Sequence, residues 1–396
     1  MKSSLVGSKW IEIDLDAIKT NYMNIKQKLN PGVKFLGVVK ADAYGHGAVE
    51  VGLLLEKIGA DMLGVTTAEE GKELRLAGVS IPILVFGAFF PEDVELYFNF
   101  NLTATVACME SIQWLKQCTD RDDKSIKIHI KVETGMGRFG FWPCDVVLAA
   151  KEILKIPGLQ LEGVYSHLAV AMRKNKSFSF RQFSVFQETC KSLEKAGIKG
   201  LIRHIANSSA VVDLPEMQLD MVRVGTLLYG QYPAPYMEDT LKLKDSWVFK
   251  AKIVYVRDLP RGQSVGYGRA FRTHKNISVA VLPIGVIDGF QVEPVSKPVN
   301  GWELFKNIAK LILNYFGYLR VVPFAIFKEG KGKVIGKVGM QYTMVDVSRV
   351  NNLKVGDVAQ ISARRTTMRL DIPKVYLENG RIVRVRVGSI VKNGIK

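Results

Sequence analysis

The chain has 396 residues, 47% apolar and 23% charged, a composition that suits roughly two or three folded domains and excludes a disordered, collagen-like or disulfide-scaffold protein. Its 55 Lys and Arg against 38 Asp and Glu give a formal charge of +17, but the basic residues do not cluster with aromatic platforms, so no nucleic-acid partner is expected. No run approaches the ~18 apolar residues of a membrane span, charge arrives before any leader-like segment, and Cys108, Cys118, Cys144 and Cys190 form no C-x-x-C pair; a cytoplasmic protein with no metal site and no membrane partner is expected.

Eight short β-branched runs alternate with helical stretches through the first 230 or so residues: 35–40, 61–66, 81–87, 102–107, 126–132, 161–167, 201–207 and 219–225. Near-continuous apolar strands, each followed by an amphipathic segment, predict a closed parallel (β/α)8 TIM barrel over residues 11–237. An open doubly wound sheet is the runner-up, although an early glycine-rich phosphate loop is missing. After Tyr232 the texture changes to short strands with Gly or Pro at the joints, which predicts a mostly-β domain over 238–396. The segment 10–15 reads as a strand ahead of the first barrel helix, so residues 1–13 are expected to join the second domain. Within that domain, 301–318 has helical spacing through Trp302, Phe305, Ile308, Ile312 and Tyr315.

Barrels of this kind gather function at the C-terminal ends of their strands. Lys40 follows the first run and Arg138 the fifth; His167 ends the sixth, Asn207 and Ser208 follow the seventh, and Arg223, Gly225 and Thr226 end the eighth. A Lys at an apolar barrel mouth can have its pKa depressed and attack a carbonyl as the free amine. Ser208, Tyr44 and the amides around Gly225 and Thr226 could receive a phosphate. Lysine plus a phosphate nest is what pyridoxal phosphate requires, but a lysine-dependent aldolase would use the same residue types, so these alone leave the reaction open.

The motifs VVKADAYGHG, KVETGMGRFG, HIANSS, VRVGTLLYG, SVGYGRAF, IGVIDGF, GMQYTMVDVS and IPKVY resemble, in order and approximate spacing, those of the alanine racemases, over about Trp10 to Arg384. The resemblance implies a barrel plus a C-terminal β domain that uses pyridoxal 5'-phosphate to interconvert L- and D-alanine for peptidoglycan. By the same resemblance Lys40 holds the cofactor and is one base, and Tyr44, Ser208, Gly225 and Thr226 meet its phosphate. Arg223 faces the ring nitrogen with His167 and Asn207 nearby. Arg138 lies near the ring oxygen and substrate carboxylate, steadied by Lys131, which is carbamylated in many members. Tyr267 is the second base, reaching the other subunit of a homodimer, and Met340 gives a backbone amide near the substrate carboxylate.

The chain also departs from the pattern. Val286 stands where a gate tyrosine is common, Gly339–Met340–Gln341 replaces Cys-Met-Asp, no Ser-Tyr-Glu segment precedes IPKVY, and 291–332 is longer than expected. A remodelled entrance follows, in which Tyr315 or Tyr318 could fill vacated space, although simple packing of the inserted helix is the stronger expectation. A wider mouth could admit serine, lysine or ornithine. A decarboxylase of basic amino acids, a pyridoxal-phosphate carrier and a basic nucleic-acid binder are the remaining alternatives.

Overall fold

The computed structural model describes residues 6–119, 125–238, 240–293, 297–298, 300–315, 323–388 and 390–393. They form two compact units, Asp14–Ser246 and Met1–Ile13 with Trp247–Lys396.

The first unit is a barrel of eight parallel strands: β1 (Lys34–Val38), β2 (Met62–Val65), β3 (Ile83–Val85), β4 (Thr103–Val106), β5 (Ile126–Lys131), β6 (Leu159–Tyr165), β7 (Ile202–His204) and β8 (Met221–Val224). Each coincides with one of the eight apolar runs. Hydrogen-bonded neighbours run β7-β6-β5-β4-β3-β2-β1-β8. The seam between β7 and β8 is bridged by Asp220 N–H to Arg203 O at 3.1 Å and Arg223 N–H to Ala206 O at 3.0 Å.

Period-two alternation places every second residue of a strand inside the barrel, and the interior is divided by chemistry. Leu36, Val38, Met62, Leu84 and Met221 form an apolar cluster with Phe86 and Ile202 packed on it. Gly64 is required there, because an added Cβ would lie 2.4 Å from Phe86. On the other side stand Thr105, His129, Tyr165, His204 and Arg223, all buried. Lys127, His129 and Lys131 alternate along the interior face of β5. Opposite His129 the pairing with β6 slips by one residue, from Ile128↔Leu161 to His129↔Gly163. This bulge re-aims the extra residue, Glu162, towards the interior.

Among the described residues the second unit has an eleven-stranded, mostly antiparallel sheet and a two-stranded one. Strand Lys9–Asp14 pairs with Trp247–Lys252 through Lys9↔Ala251 to Ile13↔Trp247, and lies between it and Lys374–Glu378 in the strand order. Asp288, the acid of IGVIDGF, is structural: its carboxylate takes Lys9 Nζ at 2.6 Å and Gly285 N–H at 3.0 Å. The helical segment foreseen in the insertion is Gly301–Tyr315. Its Trp302, Phe305, Ile308 and Ile312 are exposed instead of packed. The Tyr315 side chain and Tyr318 lie outside the described residues.

Candidate active site

Chain order brings the barrel residues to one mouth. A cavity of about 470 Å³ is lined by Lys40, Tyr44, Lys131, Arg138, His167, Asn207, Ser208, Arg223, Gly225 and Thr226, all foreseen from the sequence. Phe86, Tyr165 and Met172 add apolar and aromatic wall.

Lys40 and Tyr44 owe their presentation to an unusual turn. Directly after β1, Ala41, Asp42, Ala43 and Tyr44 all have φ between 51° and 55°, a left-handed turn of four non-glycine residues. Each costs about 1–2 kcal/mol relative to the right-handed form. Hydrogen bonds hold it: Ala41 N–H donates to Glu70 Oε1 at 2.6 Å, Ala48 N–H to Asp42 Oδ1 at 2.8 Å, and Gly47 N–H to Asp42 O at 2.9 Å. Glu70 also caps its own helix, Ala68–Leu76, through a capping box with Thr67. Burial, then the Arg138 charge, lowers the Lys40 pKa; Glu70 opposes and Arg223 reinforces the shift.

Opposite this turn, Gly225 N–H donates to Ser208 Oγ at 3.0 Å, and Thr226 opens a short 3-10 turn. Gly225 is needed because an added Cβ would lie 2.6 Å from the Tyr44 hydroxyl. Burial pushes the Tyr44 phenol up to about 12, so it remains a neutral O–H near pH 7. Asn207 caps helix Ser208–Asp213, its Oδ1 accepting from Ser209 and Ala210 N–H at 3.1 and 3.2 Å.

The loop after β5 folds around Glu133, whose carboxylate accepts from the amides of Gly135, Met136 and Arg138 at 2.5, 2.6 and 3.3 Å. That ring of bonds sets Arg138 at the rim. Lys131 Nζ lies 3.6 Å from the Phe139 ring centroid. Burial first, then Arg138 and Arg223, lowers Lys131 to about 7.

Arg223 is buried and held by many acceptors. Its Nη1 donates to His204 Nδ1 at 2.9 Å and His204 O at 3.1 Å; its Nη2 reaches Ser166 O at 2.7 Å, His167 Nδ1 at 3.2 Å and Ile205 O at 3.3 Å. Nε has no acceptor among the described residues, while Arg223 lines the cavity. Burial lowers Arg223 to about 10, which still leaves it charged.

Because a guanidinium only donates, these contacts fix the tautomers behind it. His167 and His204 must accept at Nδ1 and carry their protons on Nε2. His204 Nε2 then donates to His129 Nδ1 at 2.8 Å, and His129 Nε2 donates to Glu162 Oε2 at 3.2 Å. Glu162, held at about 2 despite burial by its bonds to His129 and Lys127, closes the chain with Lys127 Nζ at 2.6 Å. Burial keeps all three histidines neutral, with the Arg223 charge adding to the shift. His204 also stacks on Tyr165 at 4.8 Å and 10°, and Tyr165 meets Thr105 Oγ1 at 3.0 Å.

Sequence reading did not single out Glu70, His129, Glu162, Tyr165 or His204. A usable signal existed for two of them: a histidine at an interior position of the strands Ile126–Lys131 and Ile202–His204. Tyr267 and Met340 belong to the second unit and do not line the barrel cavity. They share a concave surface of about 790 Å³ with Tyr255, Lys337 and Tyr342. Both are exposed there, at 76% and 70%. Gly266 and Gly268, both left-handed, form the turn that presents Tyr267, and a Cβ on Gly339 would lie 3.9 Å from the Tyr267 ring.

Comparison with known proteins is consistent with this arrangement. Residues 13–233 match the family model of the alanine racemase N-terminal domain, and 247–383 that of the alanine racemase C-terminal domain. The alanine racemase of Clostridium tetani is 33% identical over 402 aligned positions, covering 95% of this chain and 97% of that protein. The structure of alanine racemase from Clostridium difficile 630 superposes with a TM-score of 0.86 at 30% identity, covering 97% of this chain and 99% of that one. A structure of the same enzyme in complex with cycloserine gives a TM-score of 0.84 at 29% identity over the same shares. With both domains matched and nearly the whole length shared, the chain belongs to the alanine racemase family, a family of isomerases.

Proposed function

We propose that this chain interconverts L- and D-alanine with bound pyridoxal 5'-phosphate, and that two bases on opposite faces, Lys40 and Tyr267 of the partner subunit, move the proton. The observation that carries this reading is a single cavity lined together by a half-buried, pKa-lowered Lys40, a hydroxyl-and-amide cradle and a donor-only Arg223. Two features fit the cofactor. Tyr44, Ser208 and the Gly225–Thr226 amides form a cradle that a side chain at position 225 would fill, and Arg223 keeps an Nε–H without an acceptor among the described residues.

Pyridoxal phosphate supplies covalent attachment of the amino acid and an electron sink that acidifies its Cα–H bond. The chain's residues do the rest. Lys40, with its pKa lowered, spends more time near neutrality as the free amine that accepts a proton. Arg223 cannot accept, so it selects an unprotonated acceptor opposite its Nε–H; that weakens the sink and disfavours side reactions. Arg138 offers a planar fork for a carboxylate. Tyr267 would serve as the second proton donor and acceptor, on the face away from Lys40. Because Tyr267 and Met340 lie exposed on their own unit, a homodimer is part of the proposal, as is D-alanine supply for peptidoglycan in the cytoplasm.

A broader racemase acting on serine, lysine or ornithine is the second reading. It draws on the departures at Val286 and Gly339–Gln341 meeting in space: Val286 N–H donates to Gly339 O at 3.0 Å, and Ile287 N–H to Met340 O at 3.1 Å. Borohydride reduction followed by peptide mapping tests the main proposal. A label on the Lys40 peptide, lost in Lys40→Ala, is expected; a label elsewhere refutes it. Assaying a panel of L-amino acids for their mirror forms, with carbon dioxide release measured in parallel, separates alanine from the broader substrates and from decarboxylation.

A further inference from the structure

Helix Gly301–Tyr315 presents a surface that the proposed racemase chemistry does not use. At about 100° per residue, Trp302, Leu304, Phe305, Ile308, Ala309, Leu311, Ile312 and Leu313 occupy an arc of about 200°, twice the width of a stripe that packs on one core. Glu303, Lys306, Asn307 and Lys310 fill the remainder. Every large apolar residue of the helix from Trp302 to Leu313 is at least 40% exposed. Trp302 and Phe305 stack on each other at 5.5 Å, and Lys306 Nζ sits 5.2 Å from the Trp302 ring centroid.

We propose that this helix lies in the plane of an anionic phospholipid surface and seats the protein on it. Charge selects the occupant. Lys306, Lys310 and the preceding Lys297 are exposed on or beside the helix, which carries one acid, Glu303, on a chain of +17. A wide apolar arc bearing Trp, Phe and Leu, with a narrow lysine-bearing strip, is the arrangement that immerses in the headgroup–acyl boundary. Trp302 at the edge of the arc, with Lys306 over its ring, suits the depth where indole prefers to sit and where lysine stems reach back to the headgroups. At about 22 Å long the helix lies along the surface; no helix of the described residues is long and apolar enough to cross a membrane. The proposal replaces the sequence-based expectation of no membrane partner and does not depend on the substrate.

The test is flotation of the full-length protein with vesicles of phosphatidylcholine alone and of equimolar phosphatidylcholine and phosphatidylglycerol, at low and high salt. Flotation with the anionic vesicles, lost at high salt, is expected. Phe305→Ser with Ile312→Ser should weaken partitioning roughly 100-fold, and Lys306→Gln with Lys310→Gln about 30-fold. Melting curves matching the parent's establish that both variants fold. Failure to float, equal flotation with neutral vesicles, or an apolar variant that floats like the parent overturns the proposal. So does a change of sedimentation in the apolar variant without vesicles, which would mean that the helix covers a second copy of the chain.

Discussion

Replacing His204 by Phe removes two nitrogens from the barrel interior while keeping a ring to stack on Tyr165. Arg223 keeps its carbonyl acceptors and His167 but loses the 2.9 Å bond to Nδ1. A hydrogen bond from a charged donor contributes about 1.5–3 kcal/mol. His129 Nδ1 is left buried without its donor, at about 1–3 kcal/mol more, and burying a phenyl ring in place of an imidazole returns part of the sum. A net destabilisation of about 3 kcal/mol at pH 7.5 is expected, a large share of an ordinary domain's ~5–15 kcal/mol. The pH dependence gives a second handle. The folded chain holds His129, His167 and His204 below their ordinary value, so below about pH 6.5 the unfolded chain binds more protons. Their stabilisation is complete above that pH and lost as pH falls. Each such histidine adds up to about 1.4 kcal/mol per pH unit to the loss, and His204→Phe should remove one share. Urea unfolding at pH 7.5, 6 and 5 measures both effects; these are experimental settings spanning about the histidine range. A variant as stable as the parent, with the same acid slope, would refute the fixed-tautomer chain.

Gly225→Ala should weaken pyridoxal phosphate binding about tenfold or more and cost about 1–3 kcal/mol, because its methyl group meets the Tyr44 hydroxyl; fluorescence titration with the cofactor checks this. Lys131, lowered to about 7, is about half free amine at neutrality, so a carbamate signal in 13C NMR with labelled bicarbonate should grow between about pH 6 and 8. No signal at the upper end would remove the proposed carbamate. Tyr267→Phe should slow α-proton exchange of one alanine enantiomer by about 10²–10⁴ and spare the other, read by deuterium incorporation from solvent; equal losses would argue against opposed bases. Ala41→Gly, at an exposed left-handed position, should stabilise the fold by about 0.5 kcal/mol in urea unfolding, strain relief exceeding the glycine's entropy cost.

The barrel was legible because strands buried on both faces read as near-continuous apolar runs, and its rim because chemistry follows each run. Lys40, Arg138, His167 and Arg223 could be placed at one mouth from spacing and fold class alone. The left-handed turn could not, since Ala41 to Tyr44 contains no glycine and only the hydrogen bonds from Glu70 and Asp42 make it tenable. Glu162 was hidden by a one-residue bulge that reverses the side to which strict alternation assigns it. His129 and His204 acquire meaning only when three strands lie side by side. The inserted helix was legible as a helix, but its periodicity said nothing about whether another surface covers it.

The line of neutral imidazoles has a consequence for how the two ends of the barrel communicate. Glu162 and Lys127 retain contact with solvent, at 20% and 43% side-chain exposure, while Arg223 at the other end faces the cavity. Neutralising the carboxylate at the far end would change the potential felt by the guanidinium without altering the mouth itself. The guanidinium at the cavity is thus joined by a continuous row of hydrogen bonds to a solvent-touching carboxylate–lysine pair at the far end of the barrel.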